Sequence, residues 1–194
     1  VSNAQMWNER YAGIDRLWIP EPDPKLADVI SNFSPGKALD LGCGEGRNAM
    51  YLAKTNWEVT AVDFSSVALE RLARAANEAG VKVDTICSDI FDFLDQDDSY
   101  DLIVIANIHP SRTLRLELYK KAIKRISLGG HLFLIGHHIE SLGIVGPSDP
   151  DLLMDDSEVT EAFVDQKIVR LEKITDIADH GHSAPSLLAV IEKL

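Results

Sequence analysis

The stretch KALDLGCGEGRNAMYLA, residues 37–53, runs from a short apolar segment into three glycines at alternate positions and out into a helix-forming sequence. A strand that meets a helix through a turn nearly free of side chains is the junction from which open α/β sheets are built. Glycine admits positive φ there and lets the backbone approach a partner closely. The same alternation continues down the chain. WEVTAVD (57–63), KVDTIC (82–87), YDLIVIAN (100–107) and GHLFLIGH (130–137) join KALDL (37–41) as β-rich runs, separated by helical segments at 46–55, 65–80 and 111–127. In the segment 65–80, Ser65 or Ser66 is placed to cap the start, Leu69, Leu72, Ala73 and Ala76 share one face, and Gly80 ends the helix. This rhythm predicts a doubly wound, parallel sheet with helices on both faces. The tail departs from it. QKIVRLEKITDIA (166–178) and SLLAVIEKL (186–194) have no helix between them, which predicts an antiparallel C-terminal strand pair and seven strands in all.

The 194 residues contain no internal repeat or low-complexity linker, so a single domain over 1–194 is expected. MWNERYAG and DPKLADVISNF predict two helices, and residues 6–36 are expected to fold over the carboxyl edge of the sheet; residues 1–5 partly match a cloning remnant. A net charge of −12 repels phosphate backbones. The basic run SRTLRLELYKKAIKR (111–125) places Leu114, Leu118, Ala122 and Ile126 at helical spacing, so its cations are expected on a solvated face. No nucleic-acid partner is expected. No apolar run approaches the roughly 20 residues of a membrane span, and no signal peptide opens the chain, which predicts a cytoplasmic protein without a membrane partner. Cys43 and Cys87 lie far apart and read as free thiols of a reducing compartment.

Ligands of open α/β sheets sit at the carboxyl ends of the strands. Three acids fall there. Asp40 precedes the first glycine by two residues, Asp63 ends the second strand roughly 20 residues past the loop, and Asp89 follows the third strand. Asp63 is placed to accept both hydroxyls of a ribose and Asp89 to accept from an adenine amino group. A nicotinamide dinucleotide calls for Gly-x-Gly-x-x-Gly facing a pyrophosphate. Here the spacing is Gly-x-Gly-x-Gly, and the Asp40 carboxylate repels a pyrophosphate while suiting a cationic amino group. Adenosine carrying a cation, S-adenosylmethionine, fits these residues.

LDLGCGEGRNA, AVDFS, SDIF and YDLIVIANIH resemble, in order, the sequence blocks of class I S-adenosylmethionine-dependent methyltransferases across nearly the whole chain. WNERYAG, EPDPKL and GPSDPDLLM are similar to the small bacterial tellurite-resistance-type group. The resemblance implies a Rossmann-like fold and methyl transfer that yields S-adenosylhomocysteine. It implies that Asp40, Gly42, Cys43 and Gly44 hold the methionine end, with Arg47 nearest its carboxylate. Asp63, flanked by Phe64 and Ser65, would take the ribose, and Ser88, Asp89 and Ile90 the adenine. Asn107 and Ile108 would lie beside the methionine chain, and Trp7 with Tyr11 would cover the cofactor.

Methyl transfer from a sulfonium is an in-line displacement, accelerated by alignment and by excluding water. A base is needed only for an acceptor protonated at neutral pH. His109 ends the fourth strand and is the catalytic candidate; His137 and His138 end the fifth, His138 reading as a plain loop residue. The pairs His137–His138 and His180–His182 lack an accompanying carboxylate or cysteine pattern, so no metal is expected. NIHP (107–110) lacks the Asn/Asp-Pro-Pro-aromatic stretch of nucleobase amino-methylating enzymes, which favours a small-molecule acceptor. Segment 139–165 is expected to wall the acceptor pocket as a lid, its Leu142, Ile144, Val145, Leu152, Leu153 and Met154 docking onto the sheet. Two other readings stand beside this one: a non-catalytic S-adenosylmethionine or S-adenosylhomocysteine sensor, and a nicotinamide-dependent oxidoreductase. The acceptor atom and the oligomeric state stay open.

Overall fold

Apolar, β-branched runs become the strands. A computed structural model describes residues 4–175 and 184–194; His180 and His182 lie outside them. Helices α1 (Ala4–Ala12) and α2 (Pro24–Ile30) precede β1 (Lys37–Leu41), α3 (Arg47–Lys54), β2 (Glu58–Asp63), α4 (Ser66–Ala79), β3 (Val83–Cys87) and the one-turn α5 (Ile90–Phe93). Then come β4 (Tyr100–Ala106), α6 (Arg112–Lys124), β5 (Ile126–His137), α7 (Asp156–Ala162), β6 (Lys167–Ile174) and β7 (Ser186–Glu192). The seven strands lie in the order β3-β2-β1-β4-β5-β7-β6, parallel in β1–β3 and antiparallel in β5–β7–β6. The expected α/β, Rossmann-like sheet with its antiparallel C-terminal pair is therefore present.

Two compact units divide the chain, one ending at Tyr100 and one beginning at Asp101. In the first, α3 packs on β1 and β2, and α4 on β2 and β3. Ala38, Leu39, Leu41, Val59, Ala61 and Val62 are buried, the near-continuous apolar pattern of a sheet covered on both faces. Ser65 caps α4 by accepting from Ala68 N, and Gly80 ends it in the left-handed region at φ +68°. In the second unit, β5 and β7 pair Leu132 with Ile191 and Phe133 with Val190. α6 packs on β5 and α7.

Three features differ from the sequence reading. The helix expected over 111–127 stops at Lys124, and Ile126 opens β5 instead. Gly129 N donates to Lys193 O and Lys193 N to Gly130 O, so pairing with the chain's end carries the strand back through both glycines. On α6, Leu114 is 41% exposed while Arg115 is buried, which reverses the expected facing of those two positions. Segment 139–165 holds two 3-10 turns and α7, which Asp155 caps at Ser157 N. Only Val159 and Phe163 are buried apolar residues in and just after α7, too few to mark a helix by periodicity. Of the segment's apolar side chains, Leu153 and Met154 are buried as expected, whereas Leu142 and Ile144 are exposed.

Candidate functional site

The glycine loop is shaped by two carboxylates. Asp40, 2% exposed, accepts from Ala49 N at 3.0 Å and so ties β1 to the first turn of α3. Asp63 reaches across from β2: its Oδ2 accepts from Gly44 N at 2.9 Å and its Oδ1 from Ser65 N at 2.8 Å. Gly42, Gly44 and Gly46 take φ of +61°, +53° and +79°. Gly44 is held there for want of room as well, since a Cβ would stand 2.7 Å from the Tyr11 hydroxyl oxygen. At Gly46 a Cβ would overlap the Leu72 side chain.

This yields a paired prediction. Gly46→Ala is expected to cost about 2–4 kcal/mol, because strain at positive φ adds to overpacking against Leu72. Gly80→Ala, at φ +68° with open space around it, is expected to cost only about 1 kcal/mol. Urea unfolding of the two variants gives the comparison, and equal costs would remove the packing argument.

Burial pushes the Asp40 carboxyl up from its ordinary 3.8 to about 7; the Ala49 N–H and Arg47 pull it back, and Asp63 adds to the rise. Burial also raises Asp63, opposed by the N–H groups of Ser65, Gly44 and Phe64. The Cys43 thiol is pushed well up by burial and stays protonated. Arg47 lies 3.9 Å from Asp23, which itself caps α2. Ser88 N donates to Asp63 O, joining the ends of β2 and β3. Asp89 is exposed and caps α5 through Phe91 N, with Ile90 buried behind it and Phe64 half-buried.

The N-terminal segment lies on this loop. The Trp7 and Tyr11 rings stand 5.8 Å apart, and Trp18 Nε1 donates to the Tyr11 hydroxyl. Asn8 Oδ1 accepts from Ser65 Oγ at 2.7 Å. Asn8, Trp18, Glu45 and Arg71 were not among the residues that the sequence singled out. Glu45 sits between two loop glycines, and only that position hinted at it.

The second unit carries its own cluster. Asn107, the residue after β4, takes φ +56° and is exposed, with Ile108 half-buried beside it. His109 stacks on His137, ring centroids 5.1 Å apart at 21°, and the Nδ1 of each is buried with no hydrogen-bond partner among the described residues. Burial and then the facing His137 lower His109 to about 4, with the Leu152 backbone acting in the opposite sense. His138 is not a plain loop residue. It is 3% exposed, its Nδ1 accepts from Glu140 N and its Nε2 lies 2.9 Å from Asp156 Oδ2. Among the described residues, no group of three or more His, Cys, Asp or Glu could hold a metal, and no helix is long and apolar enough to cross a membrane.

Residues 38–130 match the family described as the methyltransferase domain. A probable S-adenosyl-L-methionine-dependent methyltransferase, TehB of Haemophilus influenzae, is 27% identical over 112 residues, which is 57% of this chain and 39% of that protein. A release factor glutamine methyltransferase of Bordetella pertussis is 36% identical over 101 residues, 48% of this chain and 37% of that one. The chain thus spans well under half the length of these relatives. Its fold matches the crystal structure of TehB with a TM-score of 0.75 at 20% identity, over 97% of this chain and 67% of that chain. It matches N-methyltransferase NodS of Bradyrhizobium japonicum, crystallised with S-adenosyl-L-homocysteine, with a TM-score of 0.77 at 18% identity, over 99% of both chains.

Proposed function

We propose that the chain, whose residues 38–130 match the methyltransferase domain, is a class I S-adenosylmethionine-dependent methyltransferase of the TehB type that transfers a methyl group to a small-molecule acceptor by in-line displacement. The observation that carries the reading is the Asp63 carboxylate at the end of β2, locked to the glycine loop through Gly44 N, with the Asp40 carboxylate buried behind that loop. When bound, S-adenosylmethionine supplies a methyl group on a sulfonium. Asp63 then accepts the ribose hydroxyls, with Phe64 and Ser65 alongside, and Ser88, Asp89 and Ile90 border the adenine. Asp40, Gly42, Cys43 and Gly44 hold the methionine end, Arg47 meets its carboxylate in competition with Asp23, and Trp7 and Tyr11 cover the loop.

In the second unit Asn107 and Ile108 would border the methionine chain of the cofactor, and His109 serves the acceptor. With its pKa near 4, His109 is neutral at pH 7 and offers a hydrogen bond rather than a strong base. That favours an acceptor which already carries a free lone pair. The small-molecule reading rests on the net charge of −12 and on NIHP in place of a nucleobase-methylating motif. Cys43 and Cys87 are both free, as a reducing, cytoplasmic setting would keep them.

Calorimetric titration with S-adenosylmethionine, S-adenosylhomocysteine and NAD tests the cofactor. The first two are expected to bind and the third not; binding of NAD, or of no adenosyl ligand by folded protein, overturns the proposal.

The same titration carries a pH prediction. Burial raises Asp40 to about 7, so ionising it costs the unliganded fold as pH climbs from about 4 to about 7, and a bound cation relieves that cost. Affinity for S-adenosylmethionine is therefore expected to fall as pH drops through 7, to about tenfold weaker at pH 6 than at pH 8. Asp40→Asn should flatten the profile; an unchanged slope in that variant assigns the titration to another group.

A further inference from the structure

Segment 4–18 is held to the glycine loop and to α4 by side-chain hydrogen bonds, those of Glu45 and Arg71 beside those of Asn8 to Ser65 and Val67. α1 is nine residues long, below the length at which an isolated helix is stable, and Tyr11 is its one buried residue. Residues 13–18 follow without regular structure, and Met6 and Ile14 are 48% and 46% exposed. Four backbone groups of this stretch are satisfied by two side chains from elsewhere. Glu45 Oε2 accepts from Leu17 N at 2.9 Å and from Trp18 N at 3.1 Å. Arg71 Nη2 donates to Tyr11 O at 2.8 Å and Ile14 O at 2.7 Å. The two side chains are joined to each other, Arg71 Nη1 to Glu45 Oε1 at 2.8 Å, with the Glu45 side chain 3% and the Arg71 side chain 23% exposed.

We propose that Glu45 and Arg71 are positioning residues that latch segment 4–18 onto the glycine loop and so set how long the adenosyl cofactor stays bound. The inference rests on the cofactor reading given above. Glu45 belongs to the loop and Arg71 to α4, so the latch joins the segment to the two elements that frame Gly44 and Asp63. What it holds in place is specific: the Tyr11 hydroxyl over Gly44, and Trp18 donating to that hydroxyl. Guanidinium and carboxylate both make charge-assisted hydrogen bonds, the strong kind, and arginine stays charged at any working pH. A segment with so little buried apolar surface opens locally at low free energy once such bonds are lost. Release of cofactor then no longer waits on the latch.

The test is the dissociation rate of S-adenosylhomocysteine, chased with excess S-adenosylmethionine and followed by tryptophan fluorescence, which Trp7 and Trp18 report. Arg71→Ala and Glu45→Gln are each expected to speed dissociation about tenfold or more. The double variant should be no faster than the faster single one, because both break one device. Arg71→Lys, which keeps the charge opposite Glu45 but not the fork to two carbonyls, should fall between native protein and Arg71→Ala. The melting temperature of the unliganded protein should move little in all of them, since the segment frays without unfolding the sheet. Dissociation within twofold of native in both single variants overturns the latch, as does additive behaviour in the double one. Failure of the native protein to bind S-adenosylhomocysteine overturns the cofactor reading itself; native binding with unchanged variant rates overturns the latch alone. Should Arg71→Ala prove unfolded, Arg71→Lys against native gives the same decision.

Discussion

Asp63→Ala is expected to weaken S-adenosylhomocysteine binding at least a hundredfold, read by calorimetry at a temperature where the variant is folded. Two effects add. The proposed ribose contact replaces two hydroxyl–carboxylate hydrogen bonds with none, and bonds to a charged group are worth about 1.5–3 kcal/mol each. At about 1.4 kcal/mol per decade that alone is two decades or more. The same carboxylate also accepts from Gly44 N and Ser65 N, so alanine leaves two buried N–H groups unsatisfied and releases the loop from β2. Asp63→Asn separates the effects. Its carbonyl oxygen can still accept from one of the two N–H groups, while the amide nitrogen faces the other and the charge is gone. Asparagine should therefore recover part of the fold's stability but little of the affinity. A folded Asp63→Ala protein that binds as tightly as native would remove Asp63 from the ribose site and leave it only a loop-shaping role.

How far such assignments were legible in the chain depends on the kind of signal. Period-2 and period-3.6 patterning marked all seven strands and the helices over 4–80 and 112–124, because those elements bury one face or both against a sheet. Asp40, Asp63 and the three glycines were visible since their roles are fixed by position along one chain, strand end to turn. Glu45 and Arg71 were not, although they lie 26 residues apart and in direct contact, because pairing between a loop and the side of a helix leaves no periodic trace. His138 read as loop for a similar reason: its ring partner Asp156 lies eighteen positions on, and its other ring nitrogen accepts from Glu140 N. Arg115 misled most. A cation in a basic run looks solvated until the partner that buries it is known.

That partner, Glu158, supports the last expectation: Arg115→Ala should destabilise the protein by about 3–5 kcal/mol, and by more than Glu158→Ala. Arg115 and Glu158 meet side by side, Nε to Oε1 at 2.6 Å and Nη2 to Oε2 at 2.7 Å, with side chains 3% and 1% exposed. Burial lowers the guanidinium pKa, but Glu158 outweighs it and holds the proton more firmly than in water. The remaining donors go to carbonyls, Nη1 to Pro110 O and Asp151 O and Nη2 to Leu153 O. Removing the arginine therefore strands a buried carboxylate and three acceptors at once, whereas removing the glutamate leaves the carbonyl bonds in place. Arg112, 3.6 Å from Glu158 Oε2, is half-exposed and compensates weakly. Urea unfolding at constant pH measures both variants, and a cost for Arg115→Ala under about 1 kcal/mol would sink the argument. The consequence reaches the His109 cluster, because the tied carbonyls belong to Pro110, next to His109, and to Leu153, next to the Met154 that packs near Gly136 and His109. Where Arg115→Ala still folds, the His109–His137 stack should loosen, and the His109 imidazole, freed from burial, should titrate closer to its ordinary 6.5 than to 4. Proton NMR of the imidazole resonances between pH 4 and 8 reads that shift directly.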